Sequence, residues 1–65
     1  MKVIYQGVVT ETGAADLAGF LREQGLPVAE LVVEFNGEIL AGAVDPLPEL
    51  HENDRIEVFR IVTGG

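Results

Sequence analysis

The only stretch of this chain with the residue spacing of a helix lies between Asp16 and Gly25. Its stripe repeats at i, i+3, i+4 and i+7 and consists of Leu17, Phe20, Leu21 and Gln24. Asp16 is a suitable N-cap, and Gly25 can take the left-handed conformation that ends a helix. One short helix can cover only one face of a small sheet, so the sequence predicts a two-layer α+β fold.

A hairpin precedes this helix, and a single strand ends the chain. Residues 2–5 and 8–12 are predicted strands joined by a tight turn at Gln6-Gly7. The stretch RIEVFRIV, residues 55–62, has the most strand-like composition in the chain and follows a predicted turn at Asn53-Asp54.

A second hairpin follows the helix. Residues 31–35 alternate as a strand with one inward face, and Asn36-Gly37 is the strongest short hairpin signal. Residues 38–40 should therefore fold back against the strand. Pro46 and Pro48 exclude a central strand from the irregular segment that comes next.

The resulting order is strand, strand, helix, strand, short strand, strand. If the last strand lies beside the first, the arrangement is a β-grasp (ubiquitin-like) fold, a small mixed sheet with one helix packed on one face. We expect a single domain over residues 1–65 with a mobile tail at residues 62–65. A chain of about 60 residues buries only roughly 60% of its unfolded surface, which leaves no room for a deep active-site cleft.

Charge and cysteine content exclude several classes of function. Four basic residues against 11 acidic ones give a net charge of −7, which disfavours nucleic acid and anionic membranes and suits a basic protein surface. The chain has no cysteine, so disulfides, thiolate nucleophiles and zinc–thiolate sites are excluded. With no apolar run near the ~20 residues of a membrane span and no signal-peptide pattern, we expect a cytoplasmic protein.

The chain ends in RIVTGG, where a strand-like stretch runs directly into Gly64 and Gly65. A disordered tail would usually be longer and more polar, and a structural turn would need a following strand. The final groups are two residues without side chains and one α-carboxylate.

Together, the NGEIL hairpin, the ENDRIEVFRIVTGG segment and the β-β-α-β-β order resemble the bacterial ThiS/MoaD family of ubiquitin-like sulfur carriers. The sequence is most similar to the thiamine-biosynthesis carriers (ThiS) and more distantly to the small subunit of molybdopterin synthase (MoaD). The resemblance covers essentially the whole chain. Its most specific part is a terminal Gly-Gly coupled to this fold and length.

The resemblance implies a protein-borne sulfur donor that is not itself an enzyme. Without cysteine, sulfur can be carried only as a thiocarboxylate on Gly65. A ThiF-like activating enzyme would adenylate this carboxylate with ATP, and a sulfur donor such as a cysteine desulfurase would supply a persulfide. A ThiG-like thiazole synthase would then receive the sulfur. Thr63 and Gly64 would thread into narrow partner sites, which suits glycine because it has no Cβ. No bound cofactor or metal is expected.

Other roles use the same activated carboxylate. The chain could serve molybdopterin synthesis or tRNA thiolation, or it could be a ubiquitin-like modifier whose terminal glycine forms an amide with lysine. Thiamine thiazole formation is the first expectation.

Partner docking is predicted on the open face of the sheet. If Ile56 and Val58 point towards the helix, Phe59 and Ile61 lie on the opposite face, and Val32 should join them there. An exposed apolar patch usually marks a contact surface. The competing register puts Phe59 in the core, since a one-residue slip exchanges the two faces.

The remaining polar residues are interpreted as surface groups. His51 lacks partners for a triad or a metal site. The spacing of the neighbouring acidic residues matches no calcium-loop pattern; these residues are Glu49, Glu52, Asp54 and Glu57.

Overall fold

The computed structural model describes residues 1–27, 30–41 and 47–60. Within these ranges the chain forms five strands and one helix, in the predicted order. They are β1 (Lys2–Tyr5), β2 (Val8–Glu11), α1 (Leu17–Glu23), β3 (Leu31–Phe35), β4 (Glu38–Ala41) and β5 (Arg55–Arg60). The α+β prediction is confirmed.

All five strands belong to one sheet with the order β2-β1-β5-β3-β4. β5 is parallel to β1 and antiparallel to β3, and the two hairpins β1–β2 and β3–β4 form the outer pairs. The last strand therefore lies beside the first at the centre of a mixed sheet. This is the β-grasp arrangement that the element order predicted.

The N-terminus of α1 is held by a side chain and by a loop. The Asp16 carboxylate accepts a hydrogen bond from the Gly19 N–H at 2.8 Å, as expected of an N-cap. The Leu17 N–H donates to the Pro48 carbonyl at 2.9 Å. Glycine at position 19 avoids crowding the cap, because a Cβ there would lie 3.1 Å from the Asp16 Oδ1 atom.

The C-terminus of α1 closes in a Schellman motif. Gly25 takes the predicted left-handed conformation with φ of +71°. The Leu26 N–H donates to the Leu21 carbonyl, and the Gly25 N–H donates to the Arg22 carbonyl, each at 3.0 Å. No helix within the described ranges is long and apolar enough to cross a membrane.

The core lies between α1 and one face of the sheet. Phe20 is fully buried and meets Tyr5 of β1 edge to face, with ring centroids 5.1 Å apart. Leu50 comes from the irregular segment before β5, and its N–H donates to the Ala15 carbonyl at 3.0 Å. The buried apolar side chains are Val3, Ala14, Leu17, Phe20, Leu21, Leu31, Val33, Leu50 and Ile56.

Two predicted boundaries are wrong by a residue: β4 continues to Ala41 and not only to residue 40, and β2 ends at Glu11 and not at Thr12. Thr12 is buried at the start of the loop that leads into α1. Its hydroxyl donates to Glu23 at 2.6 Å and accepts from the Ala14 N–H at 3.0 Å. These bonds turn the chain out of the sheet and towards the helix.

Removing the N-cap should destabilise the whole domain. Asp16→Ala leaves the Gly19 N–H without its acceptor, so the free energy of unfolding should fall by about 1 kcal/mol. Urea unfolding measures the change. Asp16→Asn keeps an acceptor oxygen and should lose much less; equal stability of Asp16→Ala and the unchanged chain would contradict the assigned cap.

Candidate partner-docking site

β5 presents different side chains to the two faces of the sheet. Ile56 is fully buried against the helix side, and Val58 packs partly buried on the same side. Phe59 points to the opposite face and remains 50% exposed. The register prediction is therefore confirmed, and the alternative with Phe59 in the core is excluded.

Phe59 has an apolar neighbour on that open face. Val32 of β3 lies directly opposite it in the antiparallel pairing of β3 with β5 and is half-buried. We call these two side chains the Phe59–Val32 patch. It lies at the C-terminal end of β5, one residue before Arg60. Ile61, the third residue predicted for this surface, lies outside the described residues.

The centre of the open face carries two like charges in direct opposition. Glu34 of β3 and Glu57 of β5 are cross-strand partners, two positions along the strands from the Phe59–Val32 patch and on the same face. Together with Arg55 and Gly37 they line a shallow cavity of about 220 Å³. Directly opposed like charges destabilise a sheet, so this pair costs stability in the free domain.

Apolar side chains also occur towards the edges of the open face. Val9 is exposed on β2 and pairs with Ile4 of β1. On the other edge, Ile39 is exposed on β4 opposite Glu34. Among the described residues, the pair Val9 and Ile4 on one side and Ile39 on the other add apolar surface to the open face away from β5.

The N-terminal end of β5 is fixed by the β3–β4 turn. Asn36 donates its backbone N–H to the Arg55 carbonyl, and its side-chain oxygen accepts from the Arg55 N–H, both at 2.8 Å. The Asp54 carboxylate accepts from the Asn36 side chain at 2.9 Å and from the His51 N–H at 2.7 Å. These bonds give Asp54 a structural role.

The same bonds move a predicted turn. The chain turns at Glu52-Asn53, with Asn53 at φ of +69°, and not at Asn53-Asp54. The reason is that Asp54 already leads into β5 while its carboxylate holds the start of the turn at His51. Glu52 in turn accepts from the Lys2 N–H at 2.9 Å, and His51 is exposed as expected.

The other end of β5 is held by a residue that the sequence did not single out. The Gln6 side chain donates to the Val58 carbonyl at 3.1 Å and accepts from the Val58 N–H at 3.0 Å. The one available sequence signal was a glutamine in a two-residue turn, where asparagine is the usual choice.

Arg60 is the last described residue, and its guanidinium lies 3.7 Å from the exposed Glu30 carboxylate. The predicted tail residues Thr63, Gly64 and Gly65 lie outside the described residues, so their assigned roles stay predictions. The Phe59–Val32 patch and the acidic pair lie together on the open face, and each has one residue in β5, the strand that precedes the tail.

Comparison with known proteins connects this architecture to one family. The family model described as the ThiS family matches residues 3–65. The match starts in β1, includes the helix and all five strands, and extends through both terminal glycines. A comparison with curated proteins returned no significant match.

The opposed carboxylates predict a stabilising charge reversal. Glu57→Lys replaces repulsion with attraction to Glu34, so the free energy of unfolding should rise by up to about 1 kcal/mol at low salt. Because salt screens exposed charges, the gain should shrink in urea titrations at high salt. Glu38→Lys makes the same change in net charge on β4 and should not give this gain; an equal rise there would contradict the pairwise cause.

Proposed function

The chain belongs to the ThiS family of small sulfur-carrier proteins, and from this membership we propose that it carries sulfur for thiamine thiazole formation as a thiocarboxylate on Gly65. The observation that carries the proposal is the family match over residues 3–65, which joins a β-grasp sheet to the terminal Gly-Gly. The protein is then a substrate and sulfur donor for partner enzymes.

The chemistry begins with activation of a poor electrophile. A carboxylate oxygen of Gly65 attacks the α-phosphorus of ATP in a ThiF-like activating enzyme, giving the acyl-adenylate and releasing pyrophosphate. The terminal sulfur of a partner persulfide, formed by a donor such as a cysteine desulfurase, attacks the acyl carbon and expels AMP. A second thiol then attacks the partner's sulfur in the acyl disulfide. This releases the Gly65 thiocarboxylate and leaves a new disulfide between the partner and the attacking thiol.

The absence of cysteine agrees with this assignment. The chain itself has no thiol with which to attack, resolve or hold a persulfide, so the partner enzymes supply every sulfur nucleophile. A ThiG-like thiazole synthase is the proposed acceptor of the sulfur.

The position of β5 supports delivery of the carboxylate. β5 pairs with β1 at its beginning and with β3 as far as Arg60, so the strand that leads to the tail is part of the sheet over its whole length. Five residues follow Arg60, and an extended chain of that length reaches at most roughly 18 Å. This reach would place Gly65 inside a partner while the folded domain stays at its surface.

The open face supports a docking role. An activating enzyme that buries the Phe59–Val32 patch would hold the domain at the base of the tail, and apolar burial there would contribute affinity. Glu34 and Glu57 lie next to the patch, and a basic partner side chain placed between them would relieve their repulsion. The net charge of −7 would also steer the domain towards a basic surface.

The tail chemistry predicts that loss of the terminal carboxylate abolishes activation. Conversion of the Gly65 carboxylate to an amide removes the reacting group, and deletion of Gly65 leaves a carboxylate on a tail one residue shorter. Either change should prevent ATP-dependent pyrophosphate release with the activating enzyme, while circular dichroism shows an intact fold. Gly64→Val should also block activation, because its side chain would enter a channel shaped for bare backbone. Gly13→Ala, at a position with open space around it, is the matched control. Retained activity in the amide would contradict the mechanism.

The open-face assignment predicts a docking defect. Phe59→Ser should fold normally, because the ring is half exposed, but its affinity for the activating enzyme should fall about tenfold, as expected for a central apolar contact. Calorimetry or a titrated activation assay measures the affinity. Val9→Ser removes an apolar side chain from β2 that is even more exposed, at 66%, and should have little effect. Equal losses in the two variants would show that Phe59 is not a specific contact.

A further inference from the structure

The two hairpin turns of the sheet share one backbone conformation but differ in their first residue. Gln6 and Gly7 have φ of +51° and +79°, and Asn36 and Gly37 have φ of +51° and +87°. Two central residues with positive φ define the type I′ class of hairpin turn, in which asparagine is favoured at the first position. Glutamine is not favoured at this position, so turn geometry alone does not explain why residue 6 has this longer side chain.

The reason is visible in the contacts of the Gln6 amide. The backbone hydrogen bonds between the β1 segment and β5 end with the one from the Gln6 N–H to the Ile56 carbonyl, at 2.9 Å. The side-chain amide then bonds both backbone groups of Val58, at 3.0 and 3.1 Å. It therefore takes the place of the next residue of a neighbouring strand and extends the support of β5 by two residues.

The region beneath this contact is not tightly packed. A cavity of about 330 Å³ lies between the end of β5 and the loop after α1, with Leu26, Pro27 and Leu31 in its lining. On the helix side, side-chain packing therefore holds Val58 and Arg60 less firmly than it holds the fully buried Ile56. The Gln6 amide supplies directional bonds at the point where packing weakens.

We propose that Gln6 is a positioning residue for sulfur transfer, which fixes the end of β5 and so sets the direction in which the tail leaves the domain. This inference rests on the proposed carrier function and identifies the side chain that orients the tail. Without the amide, the strand pairing of β5 beyond Ile56 is with β3 only, for example Val58 with Val33 and Phe59 with Val32.

A less well aimed tail has a specific kinetic consequence. Without the Gln6 amide, the end of β5 becomes ordered only when the activating enzyme binds. The entropy lost in this ordering lowers the apparent affinity. Once the tail is bound, the reacting carboxylate is the same, so the rate at saturation should not change. The expected signature is a higher KM for the carrier protein at constant kcat.

The test uses Gln6→Gly in the full chain, because glycine accepts the positive φ and removes only the side chain. Steady-state pyrophosphate release with the ThiF-like activating enzyme should show a KM about 3- to 10-fold higher, the range expected for losing exposed hydrogen bonds, at unchanged kcat. The NMR order parameter of the Arg60 amide should fall. Gln6→Glu keeps the acceptor for the Val58 N–H, so its KM should lie between those of Gln6→Gly and the unchanged chain.

Asn36→Gly is the matched control, since it removes the amide at the opposite end of β5 from the same kind of turn. Its KM should stay within error of the unchanged chain. An unchanged KM in Gln6→Gly overturns the proposal. So does a raised KM with an unaltered Arg60 order parameter, which would mean that Gln6 contacts the enzyme directly. If the unchanged chain itself releases no pyrophosphate, the carrier function fails, whereas the Arg60 measurement still decides whether Gln6 orders the strand.

Discussion

A seven-residue helix must cover a five-stranded sheet, and this constraint decides how the rest of the domain is arranged. The helix buries Phe20, Leu17 and Leu21 against one face, and the strands that carry the core partners, β1, β5 and β3, are the three central ones. In the described part of the chain no second helix covers the other face. The outward residues of the same strands, Phe59 among them, lie on the face away from the helix, where we propose that a partner docks.

β5 links this architecture to the proposed function. It is the central strand, its inward side chain Ile56 is part of the core, and its last residues lead to the tail. Asn36 fixes its beginning and Gln6 fixes its end, each through a side-chain amide bonded to backbone. A strand that is held at both ends and carries one residue of the apolar patch and one of the acidic pair can present a carboxylate in a defined direction. No catalytic group within the domain is needed for that task.

Local signals were sufficient to predict the elements and to favour the observed register, which the burial of Ile56 then decided. Asn36-Gly37 and the caps at Asp16 and Gly25 act through neighbouring residues, and the alternation in β5 placed Phe59 on the open face. The sequence did not reveal the Gln6–Val58 bonds or the opposition of Glu34 and Glu57. Both join residues far apart in the chain, so they depend on the exact pairing of strands. Leu50 was missed as a core residue because it lies in an irregular segment without periodicity.

The central claim is that the terminal carboxylate becomes a thiocarboxylate, and intact mass spectrometry tests it directly. The protein is incubated with the ThiF-like activating enzyme, ATP, a cysteine desulfurase with cysteine, and a thiol reductant, and its mass is then recorded. We expect a mass increase equal to the replacement of one oxygen by sulfur, located at Gly65 by fragmentation. An unchanged mass, or covalent conjugates to lysines of other proteins in place of the sulfur-containing product, would contradict it.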